Sequence, residues 1–256
     1  MSTEQNPPPA YLEDFEVGAR QLAPAAPIGD GDGDGRVRGA VVAAAFAGSP
    51  LASGAETDAA WRYLEPVRAD AELRYDVLVT GCRRTPDLTQ GVVRRHVRVV
   101  DGDGQVIQEG TTTSLVPVRS AVDDSDGRVG RAFGTLPWAR ALAARLNDDP
   151  EFHAQTATWD GTIGIRYGAG EALFRVYRGR VLEAATRTPN GPTYVVEADE
   201  RDWVELFTGP ASDFSKRVML GQLRVHGNAY EYVRLTAALV AIIDQARAMA
   251  RSGRNS

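Results

Sequence analysis

The side chains that could do chemistry in this sequence are few and scattered. Residues 29–35 read GDGDGDG, and Asp30, Asp32, Asp34 and Gly35 match the first half of a calcium-binding loop. The twelfth position of such a loop needs a bidentate Glu, and here it is Val41. The run is therefore read as an acidic loop. It is not a phosphate cradle either, because its three carboxylates repel an anion and the P-loop Lys is missing. His96, His153 and His226 are the only histidines, and their spacing forms no metal site. His96 falls in the middle of a strand, His153 follows a helix end, and His226 sits in a turn, where a place at a ligand mouth is the alternative. Cys82 is the single cysteine, which excludes an intrachain disulfide and a multi-cysteine zinc site. Arg83 beside it could lower its pKa, but a plain strand-end cysteine is the preferred reading. Ser114 and Ser215 lie in no nucleophile-elbow context. Arg83, Arg84, Arg94, Arg95 and Arg98 are close in sequence and suit phosphate geometry, although a solvated sheet face explains them more simply. Neither a metal nor a cofactor is expected.

Composition narrows the class further. The chain has 256 residues, 43% of them hydrophobic and 25% charged, which is enough apolar material for one large core or two modest ones. The net charge is −5 and no basic patch is dense, so no nucleic-acid partner is expected. Lys216 is the only lysine. Residues 1–10 are polar and proline-rich, without the apolar core of a secretory signal, and read as a disordered tail. The most apolar helical stretch, residues 230–249, carries Arg234, Asp244 and Arg247, so it reads as amphipathic rather than membrane-spanning. A cytoplasmic protein is expected.

The elements that would position these residues fall into two groups. In residues 11–118, the alanine-rich stretch 39–51 places Val42, Ala45 and Phe46 at helical spacing, with side chains small enough for close packing on a sheet. Leu73, Tyr75, Val77 and Val79 alternate with Glu72, Arg74, Asp76 and Thr80, as in a half-buried strand. Residues 91–100 and 105–118 form two more strands around the hairpin signal Asp101-Gly-Asp-Gly104. Residues 119–136 are polar and non-periodic and read as a linker. In residues 137–250, a helix at 136–146 precedes short strands at 162–167, 171–177, 180–185 and 193–198. Asp199 and Asp213 are placed to cap two short helices, and Gly209-Pro210 ends the first. Asn228 followed by Glu231 reads as a capping box opening one final helix, whose stripe is Tyr232, Leu235, Leu239, Ile242 and Ala246. Residues 251–256 form a tail.

Tyr11-Leu-Glu-Asp-Phe-Glu-Val-Gly18 and Tyr63-Leu-Glu-Pro-Val-Arg68, followed by Ala71-Glu-Leu73, resemble the entry segments of MaoC-like hotdog proteins, which include enoyl-CoA hydratases. The resemblance covers residues 11–118 and implies an antiparallel sheet around a central helix. Hydratases of that family carry an Asp and a His ahead of the central helix, where they activate water and move a proton. Here the acidic loop runs directly into Arg38-Gly-Ala-Val-Val42, and no such pair is found. The expectation is a hotdog domain without catalysis, used for homodimerisation or for docking to an active sister chain. Glu56 and Asp58 are the carboxylates that could rescue activity.

Glu171-Ala-Leu-Phe-Arg-Val-Tyr-Arg-Gly-Arg-Val-Leu182 looks like the strand-turn-strand of sterol carrier protein 2 domains. Residues 193–209, TYVVEADERDWVELFTG, match that family's strand, acidic cap, Trp-bearing helix and Gly stop, and Gly221, Leu223, Val225 and Gly227 follow in order. The implied fold class is α+β overall: a hotdog-like antiparallel sheet around a central helix, then a five-stranded sheet covered by helices. The resemblance further implies an apolar tunnel between sheet and helices that takes a sterol, fatty acid or acyl-CoA. Its expected lining is Phe174, Val176, Trp203, Phe207, Phe214, Met219, Leu235, Leu239 and Ile242. Non-catalytic binding or transfer of such a ligand is the leading expectation. A substrate-delivering subunit of a hydratase-type complex is the alternative.

Overall fold

The computed structural model describes residues 11–25, 36–37, 39–68, 71–120, 132–189 and 191–253. The expected N-terminal tail, the acidic loop and most of the expected linker lie outside these residues. The fold is α+β and divides into two compact units, Met1–Asp123 and Asp124–Ser256.

The first unit contains strands β1 (Arg20–Pro24) and β2 (Arg36–Val37), helix α1 (Gly39–Ala47), and strands β3 (Ala55–Tyr63), β4 (Val67–Arg68), β5 (Arg74–Arg84), β6 (Gln90–Val100) and β7 (Val106–Pro117). Five of them form an antiparallel sheet in the order β1-β5-β6-β7-β3, while β2 pairs with β4. Helix α1 buries Val42 and Phe46 against the sheet; the Phe46 ring meets Tyr75 at 5.2 Å and Trp61 at 5.8 Å, both edge-on. Gly110 makes room for this, because a Cβ there would fall 2.6 Å from the Trp61 ring. The β6–β7 hairpin closes as its sequence dictates. The Asp101 carboxylate accepts from the backbone N–H groups of Asp103 and Gln105, and Gly104 takes the left-handed conformation at φ 81°.

Strand β5 departs from simple alternation. Its expected inner residues are buried, but so are Asp76 and Thr80 on the face expected to be wet. Edge strand β1 supplies Arg20, whose guanidinium holds both oxygens of Asp76 and removes its need for water. The helix expected over 39–51 ends at Ala47, and Pro50 starts a separate 3-10 turn.

The second unit contains α2 (Leu136–Asn147), α3 (Pro150–Thr156), β8 (Asp160–Tyr167), β9 (Gly170–Tyr177), β10 (Arg180–Ala185), β11 (Tyr194–Ala198), α4 (Glu200–Thr208), α5 (Phe214–Met219), β12 (Arg224–Gly227), α6 (Ala229–Arg234) and α7 (Thr236–Gly253). Its sheet runs β10-β9-β8-β11-β12, with β11 parallel to β8 and all other pairs antiparallel. Helix α7 packs against α2, α3 and α4. No described helix is long and apolar enough to cross a membrane.

Three local expectations change. Phe133, placed in the linker by sequence, is buried in this unit, and Thr135 caps α2 by accepting from the Trp138 N–H. The carboxylates of Asp199 and Asp213 make no cap hydrogen bond; Asp213 instead accepts from Arg217 Nε at 2.7 Å. The single final helix is two helices. The Asn228 side chain caps α6 by accepting from the Glu231 N–H, but the Glu231 carboxylate turns to Arg234 instead of completing the box. At the other end the Thr236 hydroxyl donates to the carbonyls of Tyr232 and Val233, and Leu235 leaves the helical conformation. A Thr hydroxyl that takes backbone carbonyls competes with helix continuation.

Candidate ligand-binding site

One face of the second sheet is a continuous apolar surface. Register places Tyr194, Ile163 and Phe174 side by side across β11, β8 and β9; Val196, Ile165 and Ala172 form the next row, and Gly161 opposes Val176. All of these except Gly161 are buried. The opposite face carries the charged residues, with Arg166 paired to Glu171 and Glu197. The centre of that opposite face is buried too, through Leu173 and Val195, so its charged residues lie toward the strand ends rather than across the whole face.

The helices close the apolar face. Trp203 on α4 stacks on Phe207 at 5.4 Å and donates from its indole N–H to the Arg166 carbonyl at 2.8 Å. Phe207 meets Phe133 at 5.2 Å and Trp138 at 5.9 Å. Of the nine residues expected to line a tunnel, Phe174, Val176, Trp203, Phe207, Phe214, Leu235, Leu239 and Ile242 are all buried in this unit. Met219 is not. It is 88% exposed, because it follows Phe214, the buried residue of α5, by five positions, roughly 140° around a helix.

Sequence reasoning missed three participants. Phe133 and Trp138 join the aromatic cluster from outside the recognised motifs. Tyr194 was visible only as one residue of an apolar strand. It has no solvent exposure, and its hydroxyl has no hydrogen-bond partner among the described residues. Burial pushes its pKa up, with Tyr232 and Glu231 adding to the effect. A buried hydroxyl left unpaired costs about 1–3 kcal/mol. Tyr167, by contrast, donates to the Gly134 carbonyl at 3.0 Å, and burial pushes its pKa up to about 12.

The residues singled out in the first unit do not converge. Arg95 is turned inward and buried; it donates to Ser114 Oγ at 3.0 Å and the Ser53 carbonyl at 2.9 Å, and lies over the Phe15 ring. Burial lowers its pKa to about 10. Arg84 pairs with Glu13, while Arg94 and Arg98 fall on the other side of β6 from Arg95. The five arginines therefore form no common phosphate grip. Cys82 is buried. His96 lies 3.7 Å from Glu109. Glu56 and Asp58 flank an irregularity in β3 and are exposed. In the second unit, His153 lies within α3 rather than after a helix, and His226 is a residue of β12, not of a turn, 3.3 Å from Glu197. Among the described residues no group of three or more His, Cys, Asp or Glu side chains could hold a metal ion.

No protein-family model and no curated protein matches this sequence. Solved structures similar to it include sterol carrier proteins and MaoC-like dehydratases. Sterol carrier protein 2 is 20% identical, with 45% of this chain and 97% of that one covered, at a TM-score of 0.41. The sterol carrier protein domain 2 of Helicoverpa armigera is 17% identical, with coverages of 50% and 95% and a TM-score of 0.34. The MaoC-like dehydratase from Rhodospirillum rubrum is 23% identical, with coverages of 43% and 99% and a TM-score of 0.36.

Proposed function

We propose that the second unit binds a lipid, as a non-catalytic carrier, between the apolar face of its sheet and helices α4 and α7. The observation that carries this reading is the apolar sheet face itself, with the Tyr194–Ile163–Phe174 row toward one end and the Trp203/Phe207 cluster reaching Tyr167 through Phe133 at the other. On that face the Tyr194 hydroxyl is a buried polar atom without a hydrogen-bond partner among the described residues. An acyl chain entering such an interior gains about 0.8 kcal/mol per buried CH₂, so ten carbons offset the cost of ordering it. Sterols, fatty acids and acyl-CoAs are the candidate classes, and the setting is the cytoplasm.

The first unit serves as the docking module. Edge strand β3 is nine residues long, and every one except Trp61 is exposed. Its outer edge pairs with no described strand, which suits pairing with another chain. A second copy is the first candidate partner; an active MaoC-like chain is the alternative, and the carrier unit would then deliver its substrate.

Native mass spectrometry of the purified chain, followed by organic extraction, tests both parts. The expected result is a dimer retaining close to one lipid per chain. A monomer that carries no lipid and takes up none from a mixed lipid extract would contradict the proposal.

A further inference from the structure

We infer that the Tyr194 hydroxyl is the anchor for the polar end of the bound lipid, and that this end is a neutral oxygen: an alcohol, ester or ketone. The inference rests on the carrier reading above and deepens it. Tyr194 stands in the same row as Ile163 and Phe174, so a chain lying on the apolar face passes its ring. Its surroundings are aromatic: the Trp159 ring at 6.4 Å and the Tyr232 ring at 6.0 Å, edge-on. Trp159 holds its place because residue 161 is Gly; a Cβ there would fall 2.4 Å from the indole. On the β12 side the backbone is closed, since a Cβ on Gly227 would fall 2.6 Å from the Thr193 carbonyl. The cover is lighter over Tyr232. Helix α6 buries none of its six residues, exposes Tyr230 and Val233, and ends at the Leu235 break. Its start is tied down by the Asn228 N–H, which donates to the Thr193 carbonyl.

A buried donor without a protein partner is a place where a ligand acceptor gains a full hydrogen bond. The charge of that acceptor follows from the neighbours. The aromatic walls offer no cation, and the nearby Glu231 carboxylate is already held by Arg234. A carboxylate would lose its water and gain no counter-charge from those walls, whereas a neutral oxygen avoids that penalty.

The test uses the delipidated full chain and its Tyr194→Phe variant. Dodecanol, dodecane and dodecanoate compete in turn against pyrene, a neutral apolar fluorophore. The natural chain is expected to hold dodecanol roughly tenfold more tightly than dodecane, with dodecanoate weaker than dodecanol. Tyr194→Phe is expected to erase the alcohol's advantage while leaving dodecane unchanged. The empty variant is expected to melt no lower than the natural chain, because the lost hydroxyl has no partner among the described residues. An alcohol preference that survives in Tyr194→Phe, or a lower melting temperature for the empty variant, overturns the anchor and leaves the carrier reading standing. A natural chain that binds dodecanol no better than dodecane overturns the anchor without any variant. If it binds none of the three, the carrier reading falls first and the anchor with it.

Discussion

Trp203→Ala is expected to cost the second unit about 4–8 kcal/mol, enough to unfold it at physiological temperature while the first unit stays folded. Two effects add. Removing a fully buried Trp leaves a large cavity, worth about 3–5 kcal/mol, and this indole is completely buried and stacked on Phe207. The same truncation strips the Arg166 carbonyl of its indole N–H donor, a further cost of about 1–3 kcal/mol. Typical domains have only about 5–15 kcal/mol in total. Trp203→Phe separates the terms, since it keeps most of the ring and loses only the donor. Scanning calorimetry checks this: the alanine variant is expected to lose one transition, and the phenylalanine variant to keep it at a lower temperature. A Trp203→Ala chain that melts within a degree of the natural one would mean that α4 does not pack as described.

Arg247→Met is expected to destabilise the same unit by about 2–4 kcal/mol, read as a lower urea midpoint with an unchanged slope. Arg247 comes from α7 but is buried against the end of α4. There its guanidinium donates to the Leu206 carbonyl, and to the Gly209 carbonyl at 2.8 Å. These carbonyls lie at a helix C-terminus, where a cation also meets the negative end of the helix dipole. Methionine keeps the length of the stem and removes both donors, so the loss reports the cap and not the packing. Arg247→Lys is expected to recover less than half, because a point charge cannot span two carbonyls as the fork does. A shift of less than 0.5 kcal/mol for Arg247→Met would show that water satisfies those carbonyls equally well.

Arg247 also shows where the sequence stops being legible. As one charge in an apolar stretch it marks α7 as a non-spanning helix, and no local pattern reveals that it is buried as the cap of another helix. The period-two run from Leu73 to Val79 does identify its inner face, because alternation is a local property of the strand. The burial of Asp76 on the other face depends on Arg20, more than fifty positions away, and so lies beyond a window of neighbours. The break at Leu235 is set by the Thr236 hydroxyl choosing the carbonyls of Tyr232 and Val233. An apolar stripe that continues in phase on both sides hides such a choice. Of the nine residues expected to line the site, eight carry large apolar side chains that are buried in the second unit. Met219 has the same chemistry on the wrong side of a short helix. Phe133 has the right chemistry in a stretch whose polar, Gly-bearing neighbours read as linker. Tyr194 looks like ordinary core until its ring is seen against Tyr232 of α6 and its hydroxyl without a partner among the described residues.

Hydrogen exchange of the delipidated chain, with and without saturating dodecanol and then cholesterol, tests the location of binding most directly. Exchange reports local opening, and a ligand that binds the closed state slows it where it binds. The account predicts slower exchange in residues 194–198 of β11 and 229–243 of α6 and α7, with residues 55–117 of the first unit unchanged. Protection confined to residues 55–117, or no protection anywhere under conditions where the lipid is bound, would contradict it.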